Sequence, residues 1–362
     1  MVFNSVFPMG LMQQKFSRLY CRALEPANRI PFAMESDRLV LFSDHHKGDR
    51  SAADDFSKNS GVYEAALDFY AAGGFRLLVL GDNEELWKNT YARVKEHYSD
   101  LITREVDLAL SGQDGRKIRI WGNHDKELSL RRLRKTIRMD EKDPLHGIDL
   151  REGVCLGPDI FLIHGHQGRF FEDKAWRISR WAVQFIWRTI QRILHIGIDG
   201  PMENVAVREG LEMQYYRWAE SQRVLMICGH THRAVFASQT RFDRLDREVR
   251  ALRLENAGAA PPRRQELDRQ IREKEHHMAR IQTRHGGKSP RSFAEPAESA
   301  LPCYFNDGCC GYTNGITCIE IDKGEIRLVK WQHEPLCRTV LVQDDLKQIL
   351  HHIKTGRRRT GP

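Results

Sequence analysis

Short apolar runs recur along the 362-residue chain, and polar or charged residues follow each of them at once. The runs cover residues 39–42, 77–80, 118–121, 160–163 and 224–228. Continuous apolar runs of this length are typical of strands that are buried on both faces. Because strand ends in layered α/β proteins converge on a site, we expect the polar residues after these runs to lie close together.

The remaining patterns complete a mixed fold. Helices are predicted at residues 10–24, 62–72 and 98–110, and antiparallel strands at 304–306, 316–321 and 326–331, with a turn at 322–324 between the last two. We therefore predict an α/β chain of the layered α+β kind, a two-sheet β-sandwich flanked by helices. An N-terminal leader (1–35) would precede the main domain (36–335), and a C-terminal helix with a basic tail (336–362) would follow it.

Two insertions interrupt the predicted domain, and the first covers residues 168–220. It combines large apolar side chains, among them Trp176, Trp181 and Trp187, with a stripe of arginines. This pattern predicts a helical cap that takes an acyl chain, or a face that makes peripheral contact with a membrane. It also suits a helix packed on the domain with its arginines reaching water. In either case the cap would help to shape a substrate pocket.

The second insertion, residues 238–298, predicts a basic helical hairpin. Phe242, Leu245, Val249 and Leu252 recur at helical spacing, a second periodic segment follows, and a Gly/Pro-containing turn lies between them. Within 238–292 there are 14 Lys or Arg and 8 Asp or Glu, a net charge of +6. The hairpin could dock on nucleic acid, membrane or protein, or it could simply be a solvated helix pair.

Composition indicates the charge of the binding partners and the cellular compartment, but it does not identify a partner. The net charge of +8 favours anionic partners, which include phosphorylated substrates, nucleic acid and acidic membrane surfaces. The eight cysteines contain no C-x-x-C pair, and no apolar run is long enough to span a membrane. These features predict a cytoplasmic protein with reduced thiols.

The polar blocks after the five strands carry the candidate chemistry. They are Asp44-His45-His46, Gly81-Asp82-Asn83, Gly122-Asn123-His124-Asp125, His164-Gly165-His166 and Gly229-His230-Thr231-His232. The candidate ligands are Asp44, His46, Asp82, Asn123, His164, His230 and His232. Carboxylate, amide oxygen and imidazole together suit a pair of divalent ions such as Mn, Fe or Zn. Two such ions commonly serve in-line displacement at phosphorus.

The ordered blocks D-x-H, G-D, G-N-H-D, H and G-H-x-H resemble the calcineurin-like metallophosphoesterase family over roughly residues 38–330. The resemblance implies one metal on Asp44, His46, Asp82 and His232, and another on Asp82, Asn123, His164 and His230. It implies two divalent ions, with Mn first, and in-line attack of a metal-bridging hydroxide on a phosphoester or diphosphate. His124 would be the general acid, and Asp125 would orient its imidazole.

A narrower pattern, G-D-x-x-E-x-W, is formed by Asp82, Glu85 and Trp87. It is similar to the UDP-2,3-diacylglucosamine diphosphatase branch, which implies a lipid-linked or nucleotide-linked diphosphate as substrate. A phosphodiesterase or nuclease acting on nucleic acid is the alternative that the basic hairpin favours. A non-catalytic scaffold of the same fold is the third interpretation, and the intact ligand set argues against it.

Several assignments stay open at this stage. His166 competes with His164 as the ligand from the fourth block. Asp49 and Glu85 are candidates for orienting ligand histidines, or for capping and surface roles. Lys47, Arg50 and Lys88 would reach a substrate phosphate from the rim, or serve as ordinary surface charges. The oligomeric state is also open.

Overall fold

The computed structural model describes residues 9–130, 141–167, 205–284, 287 and 300–356. Its strands are β1 (Arg38–Phe42), β2 (Arg76–Val79), β3 (Ile118–Ile120), β4 (Asp149–Arg151), β5 (Gly153–Leu156), β6 (Ile160–Ile163), β7 (Leu225–Cys228), β8 (Tyr304–Asn306), β9 (Ile316–Asp322), β10 (Glu325–Gln332) and β11 (Cys337–Asp345). Its helices are α1 (Met9–Leu24), α2 (Ser60–Ala72), α3 (Tyr91–Leu108), α4 (Val205–Gln222), α5 (Arg241–Ala257), α6 (Pro261–Arg284) and α7 (Leu346–Thr355).

The strands form two main sheets, and the predicted α+β layered fold is confirmed. One sheet has the order β11-β10-β9-β1-β2 and the other has the order β5-β6-β7-β8, while β3 and β4 pair separately. Parallel pairing joins β1 to β2 and β6 to β7. The other neighbours of β1 and β6 are antiparallel.

The alternation of side chains along β1 explains the layers. Leu39 and Leu41 belong to the core that also contains β6 and β7, whereas Val40 and Phe42 belong to the core that contains α2 and α3. Because successive side chains of a strand point to opposite faces, β1 is covered on both sides. This is why its sequence is continuously apolar instead of alternating.

Two late strands differ from the sequence-based prediction. The sequence predicts an antiparallel strand at residues 304–306, but β8 pairs parallel with β7 in the other sheet. The segment after residue 336 begins with β11, which pairs along β10, before α7 starts. The β9–β10 hairpin itself forms with the predicted turn. β11 has an exposed, mixed sequence pattern that does not predict a strand. Among the described strands it pairs on one side only, with β10.

The N-terminal segment is part of the core. Phe16 of α1 is fully buried and packs edge-on against Trp218 of α4 at a ring distance of 5.6 Å. Of the predicted cap, residues 168–204 lie outside the described residues, and α4 covers the remainder. Among the described residues, no helix combines the length and apolar character needed to cross a membrane.

The predicted helical hairpin is present as α5 and α6. Thr240 begins α5 with a capping box that it shares with Asp243, and Gly258 lies at the end of the helix. Leu245 and Val249 of α5 are buried, as are Leu267 and Ile271 of α6. The predicted return at residues 289–299 and the arginine tail from 357 onward lie outside the described residues.

Candidate metal centre

The structure brings the five polar blocks together at the carboxyl ends of their strands. A parallel bridge between Leu80 and Ile120 joins the ends of β2 and β3. The Gly229 amide N–H, after β7, donates to the carbonyl of His164, after β6, at 3.1 Å. Across the sheets, the His230 N–H donates to Asp44 Oδ2 at 2.9 Å. These bonds confirm the prediction that the blocks converge.

The Asp and His side-chain atoms that could hold a metal ion, including those of His124, form groups whose members lie within 4.8 Å of one another. The groups are Asp44, His46 and His232; His46, Asp82 and His124; and Asp82, His164 and His230. His46 Nε2 lies 3.3 Å from His232 Nε2 and 3.9 Å from Asp82 Oδ2. Asp82 and His46 each belong to two groups, so the groups form one continuous cluster.

Five of the candidate ligands have an unusual backbone conformation. Asp44, His46, Asp82, His230 and His232 all have φ between 51° and 67°. Residues other than glycine seldom adopt this left-handed region, and such residues concentrate at functional sites. The strand ends therefore turn sharply at these residues, and the surrounding hydrogen bonds hold the turns.

Glycines in the blocks permit close approach of the loops. A Cβ atom on Gly122 would collide with the Asp82 carboxylate, and one on Gly229 would collide with Ser43 and Asp44. Ser43 is itself hydrogen-bonded to Asp44 and to Asp307. Glycine at these two positions thus allows the loop of Gly122 to contact Asp82, and the loop of Gly229 to contact Ser43 and Asp44.

Two buried polar atoms indicate that the cluster can bind a cation. Asn123 Oδ1 and His164 Nε2 are buried and have no hydrogen-bond partner among the described residues, although His164 Nε2 lies 3.1 Å from Asp82 Oδ2. A buried acceptor without a partner is costly, and a bound cation would satisfy it. Together with the buried carboxylates, these atoms make a donor set that fits Mn, Fe or Zn.

His164 is better placed than His166 to be a ligand. The Nδ1–H of His164 can donate to the carbonyl of Leu80 at 2.9 Å, which leaves Nε2 facing Asp82. Fixing one ring nitrogen in this way is the usual arrangement of a metal-binding histidine. His166 lies beside it, buried against Trp121 and outside the ligand groups, and within the described part of the chain neither of its ring nitrogens has a hydrogen-bond partner.

The centre keeps its carboxylates ionised. Burial opposes ionisation of Asp44, but His232 and His164 outweigh it and hold the pKa of that carboxyl below its usual range. Burial likewise opposes ionisation of Asp82, and the neighbouring His164 and His124 lower its pKa. Two buried carboxylates that stay ionised supply the negative charge that a divalent cation needs.

His124 is held by Glu85 and Trp87. Its Nδ1 lies 2.9 Å from Glu85 Oε1, and the Trp87 indole stacks on the imidazole at a ring distance of 4.2 Å. Trp87 Nε1–H also donates to the carbonyl of Asn123 at 2.9 Å. The G-D-x-x-E-x-W pattern therefore places both side chains that position this imidazole.

Asp125 does not orient His124, and that part of the prediction is wrong. Its carboxylate accepts the amide N–H groups of Gly122 and Asn83 at 2.6 and 2.9 Å, and a guanidinium N–H of Arg119 at 2.8 Å. Asp125 therefore fixes the loop that carries Asn123 and His124.

The structure excludes Lys47 as a residue that reaches a substrate phosphate from the rim of the site. Its side chain is fully buried, and its ammonium contacts Glu105 and the Asn83 side-chain oxygen. Arg50 lies over the ring of Tyr98, 4.9 Å from its centroid. Asp49 pairs with Arg93 at 3.3 Å, so it does not orient a ligand histidine.

Sequence reasoning missed the role of Asn306, the last residue of β8, and of Asp307, which follows it. The Asn306 side-chain amide donates to the carbonyl of Gly229 at 2.6 Å and to Thr231 Oγ1 at 3.1 Å. Burial and the nearby Asp44 raise the pKa of Asp307 well above its usual range. Polar residues at the end of Tyr304–Asn306 were the available signal, which resembles that of the other five strands.

The sequence was also compared with known proteins. No protein-family model matches the chain, and a search of curated proteins gives no match.

Proposed function

We propose that this chain is a metal-dependent phosphoesterase whose favoured substrate is a lipid-linked or nucleotide-linked diphosphate. The observation that carries the proposal is the continuous cluster of Asp and His side chains that His46 and Asp82 link together. Ligand sets of this composition hold pairs of divalent ions a few ångströms apart, which suits in-line displacement at phosphorus.

The candidate ligands divide into two sets that share Asp82. In the proposal, one set is Asp44, His46, Asp82 and His232, and the other is Asp82, Asn123, His164 and His230; the grouping of Asp44 with His46 and His232, and of Asp82 with His164 and His230, supports it. When bound, a pair of Mn, Fe or Zn ions would offset negative charge on the phosphoryl group and lower the pKa of water.

His124 is proposed as the general acid for the leaving group. Its Nδ1 is engaged by Glu85, so Nε2 is the nitrogen that can donate a proton to a leaving oxygen. Burial disfavours the imidazolium, but Glu85 and Asp82 outweigh burial and raise the pKa of His124 to about 9. A histidine that is protonated at neutral pH has the proton that this role requires.

The charge distribution of the hairpin favours a small substrate over nucleic acid. Arg250 pairs with Asp246, Arg253 with Glu275 and Arg263 with Glu255. Cations already paired with carboxylates contribute less to phosphate-backbone binding than free ones. A nuclease therefore remains the second candidate, supported by the net charge of the hairpin alone.

The test is turnover with added Mn²⁺ on a UDP-linked acyl sugar, bis-p-nitrophenyl phosphate and single-stranded DNA. Asp82→Asn removes the carboxylate that both ligand sets share, so we expect turnover to fall by more than about 100-fold, beyond the effect of outer-sphere changes. Asp49→Asn is the matched control, because its carboxylate pairs with Arg93 outside the cluster.

The outcomes separate the activity from its substrate. Turnover of any of the three compounds that depends on Mn²⁺ and on Asp82 supports the phosphoesterase. Preference for the UDP-linked sugar supports the diphosphate, whereas preference for DNA replaces it with the nuclease. Mn²⁺ binding that Asp82→Asn leaves unchanged would overturn the metal centre itself.

A further inference from the structure

A cavity of about 370 Å³ lies between the base of the helical hairpin and β11. We call it the root cavity, and it is lined by Arg241, Arg244, Glu248, Glu273, Lys274 and Leu341, among others. Its volume is within the range of small-molecule sites, roughly 300–1,000 Å³. None of its lining residues belongs to the candidate metal centre.

The carboxylates of the root cavity already have cationic partners. Glu248 pairs with Lys274, and Glu273 pairs at 2.8 Å with Arg269. Among the described residues, neither Arg241 nor Arg244 forms an ion pair. The root cavity therefore has two guanidinium groups that, in the described part of the chain, are not in an ion pair, although Asp243 and Glu248 lie close enough to Arg244 to attract it.

Arg244 is the more constrained of the two arginines. One of its N–H groups donates to the carbonyl of Gln239 at 2.9 Å, which leaves the rest of the guanidinium available. Burial, with a further contribution from Arg241, lowers the pKa of Arg244 to about 10. Asp243 and Glu248 act in the opposite direction but do not outweigh burial, so an anion in the cavity would reduce the remaining cost of the buried cation.

The surrounding charges add to the positive potential. The pKa of His277, another lining residue, is lowered first by partial burial and then by Arg241 and Arg280. Arg241 also stands at the first position of α5, where the helix dipole disfavours a cation. The base of the hairpin thus carries two arginines that form no ion pair within the described residues, while its other end carries the Arg263–Glu255 pair.

We propose that the root cavity binds a phosphorylated small molecule through Arg241 and Arg244. The two residues are three positions apart on α5, so their side chains lie on one face of the helix. Planar guanidinium groups bind phosphate oxygens through paired, charge-assisted hydrogen bonds. Enclosure by α5, α6 and β11 suits a compact ligand better than an extended polymer. The inference does not depend on the proposed phosphoesterase activity.

The test is isothermal titration calorimetry of the full-length chain with inorganic pyrophosphate. EDTA in the buffer keeps the candidate metal centre free of cations, so that it does not capture the probe. We expect Arg241→Gln and Arg244→Gln each to weaken binding by about tenfold or more, the usual effect of losing a charge-assisted hydrogen bond. Arg263→Gln, the same change at the far end of the hairpin, should leave binding unchanged.

A single-stranded oligonucleotide is titrated in parallel. Pyrophosphate binding that both root variants weaken and Arg263→Gln preserves supports the site. The proposal is overturned if wild-type protein does not bind pyrophosphate, or if Arg241→Gln binds it as tightly as Arg263→Gln. It is also overturned if the root variants weaken only oligonucleotide binding. Arg241 is exposed, so its variant carries the test even if Arg244→Gln does not fold.

Discussion

The candidate metal centre and the helical hairpin use charged residues in opposite ways. At the centre, Arg119 is 7% exposed and its carboxylate partners Glu84 and Asp125 are fully buried. In the hairpin, Arg253 is 61% exposed and its partner Glu275 is 41% exposed. Residues at the centre come from loops far apart in sequence, whereas the hairpin pairs lie within or between two neighbouring helices.

This difference predicts different responses to mutation. A buried ion that loses its partner remains in a medium of low dielectric constant, so its removal from water is no longer compensated. An exposed ion that loses its partner is solvated by water, and salt already screens its attraction. Charges beneath the centre should therefore be individually important, while those on the hairpin should be individually dispensable.

The largest expected effect is that of Arg119→Met on stability. This change leaves Glu84 and Asp125 buried without their cation, and it frees the carboxylate that fixes the loop of Asn123 and His124. We expect the free energy of unfolding to fall by about 3–5 kcal/mol, as for other buried pairs that lose one partner. Urea unfolding measures it, and a loss below about 1 kcal/mol would contradict the account of the buried network.

A smaller effect is expected when the contact between the hairpin helices is weakened. Leu267 of α6 is fully buried, and α5 and α6 contact each other, so Leu267→Ala should destabilise the hairpin by about 2–4 kcal/mol. Hydrogen exchange of the α5 and α6 amides measures the local loss. Leu254→Ala is the matched control, because Leu254 is 78% exposed. Equal exchange in both variants would mean that the helices do not support each other.

Glu85→Gln tests the positioning of His124. Since Glu85 engages Nδ1 of the imidazole, its loss should lower kcat by about 10–100-fold, the usual effect of a supporting residue at a metal site. KM should change little, because Glu85 is not proposed to touch the substrate. Glu96→Gln, at an exposed position on α3, is the matched control. A rise in KM at unchanged kcat would instead place Glu85 in substrate binding.

The sequence was most informative where a strand ended in polar residues. Runs of buried residues located β1, β2, β6 and β7, and their polar ends located the candidate ligands. Both signals are local, because a strand buried on two faces is apolar throughout and a ligand needs a distinct chemical group. The helical hairpin was also predicted from a local signal, the helical spacing of its apolar residues.

What the sequence did not reveal depends on long-range contacts. Asp125 follows His124 directly, yet its carboxylate binds Arg119 and two backbone amides, while Glu85 from another loop reaches the imidazole. Lys47 follows the candidate ligand His46 directly, but its side chain is buried and its ammonium group binds Glu105 of α3. Sequence proximity to a ligand therefore did not indicate which side chains face the centre, because contacts with distant residues decide it.

The smallest expected effect is that of an exposed pair of the hairpin. Arg253 of α5 pairs with Glu275 of α6, and both are largely exposed. In a double-mutant cycle with Arg253→Met and Glu275→Gln, we expect a coupling energy below about 1 kcal/mol, decreasing further at high salt. Urea unfolding at two salt concentrations measures it. A salt-independent coupling above about 2 kcal/mol would show that the hairpin surface is less solvated than its exposure indicates. The contrast with the buried charges beneath the metal centre would then rest on contact geometry instead of burial.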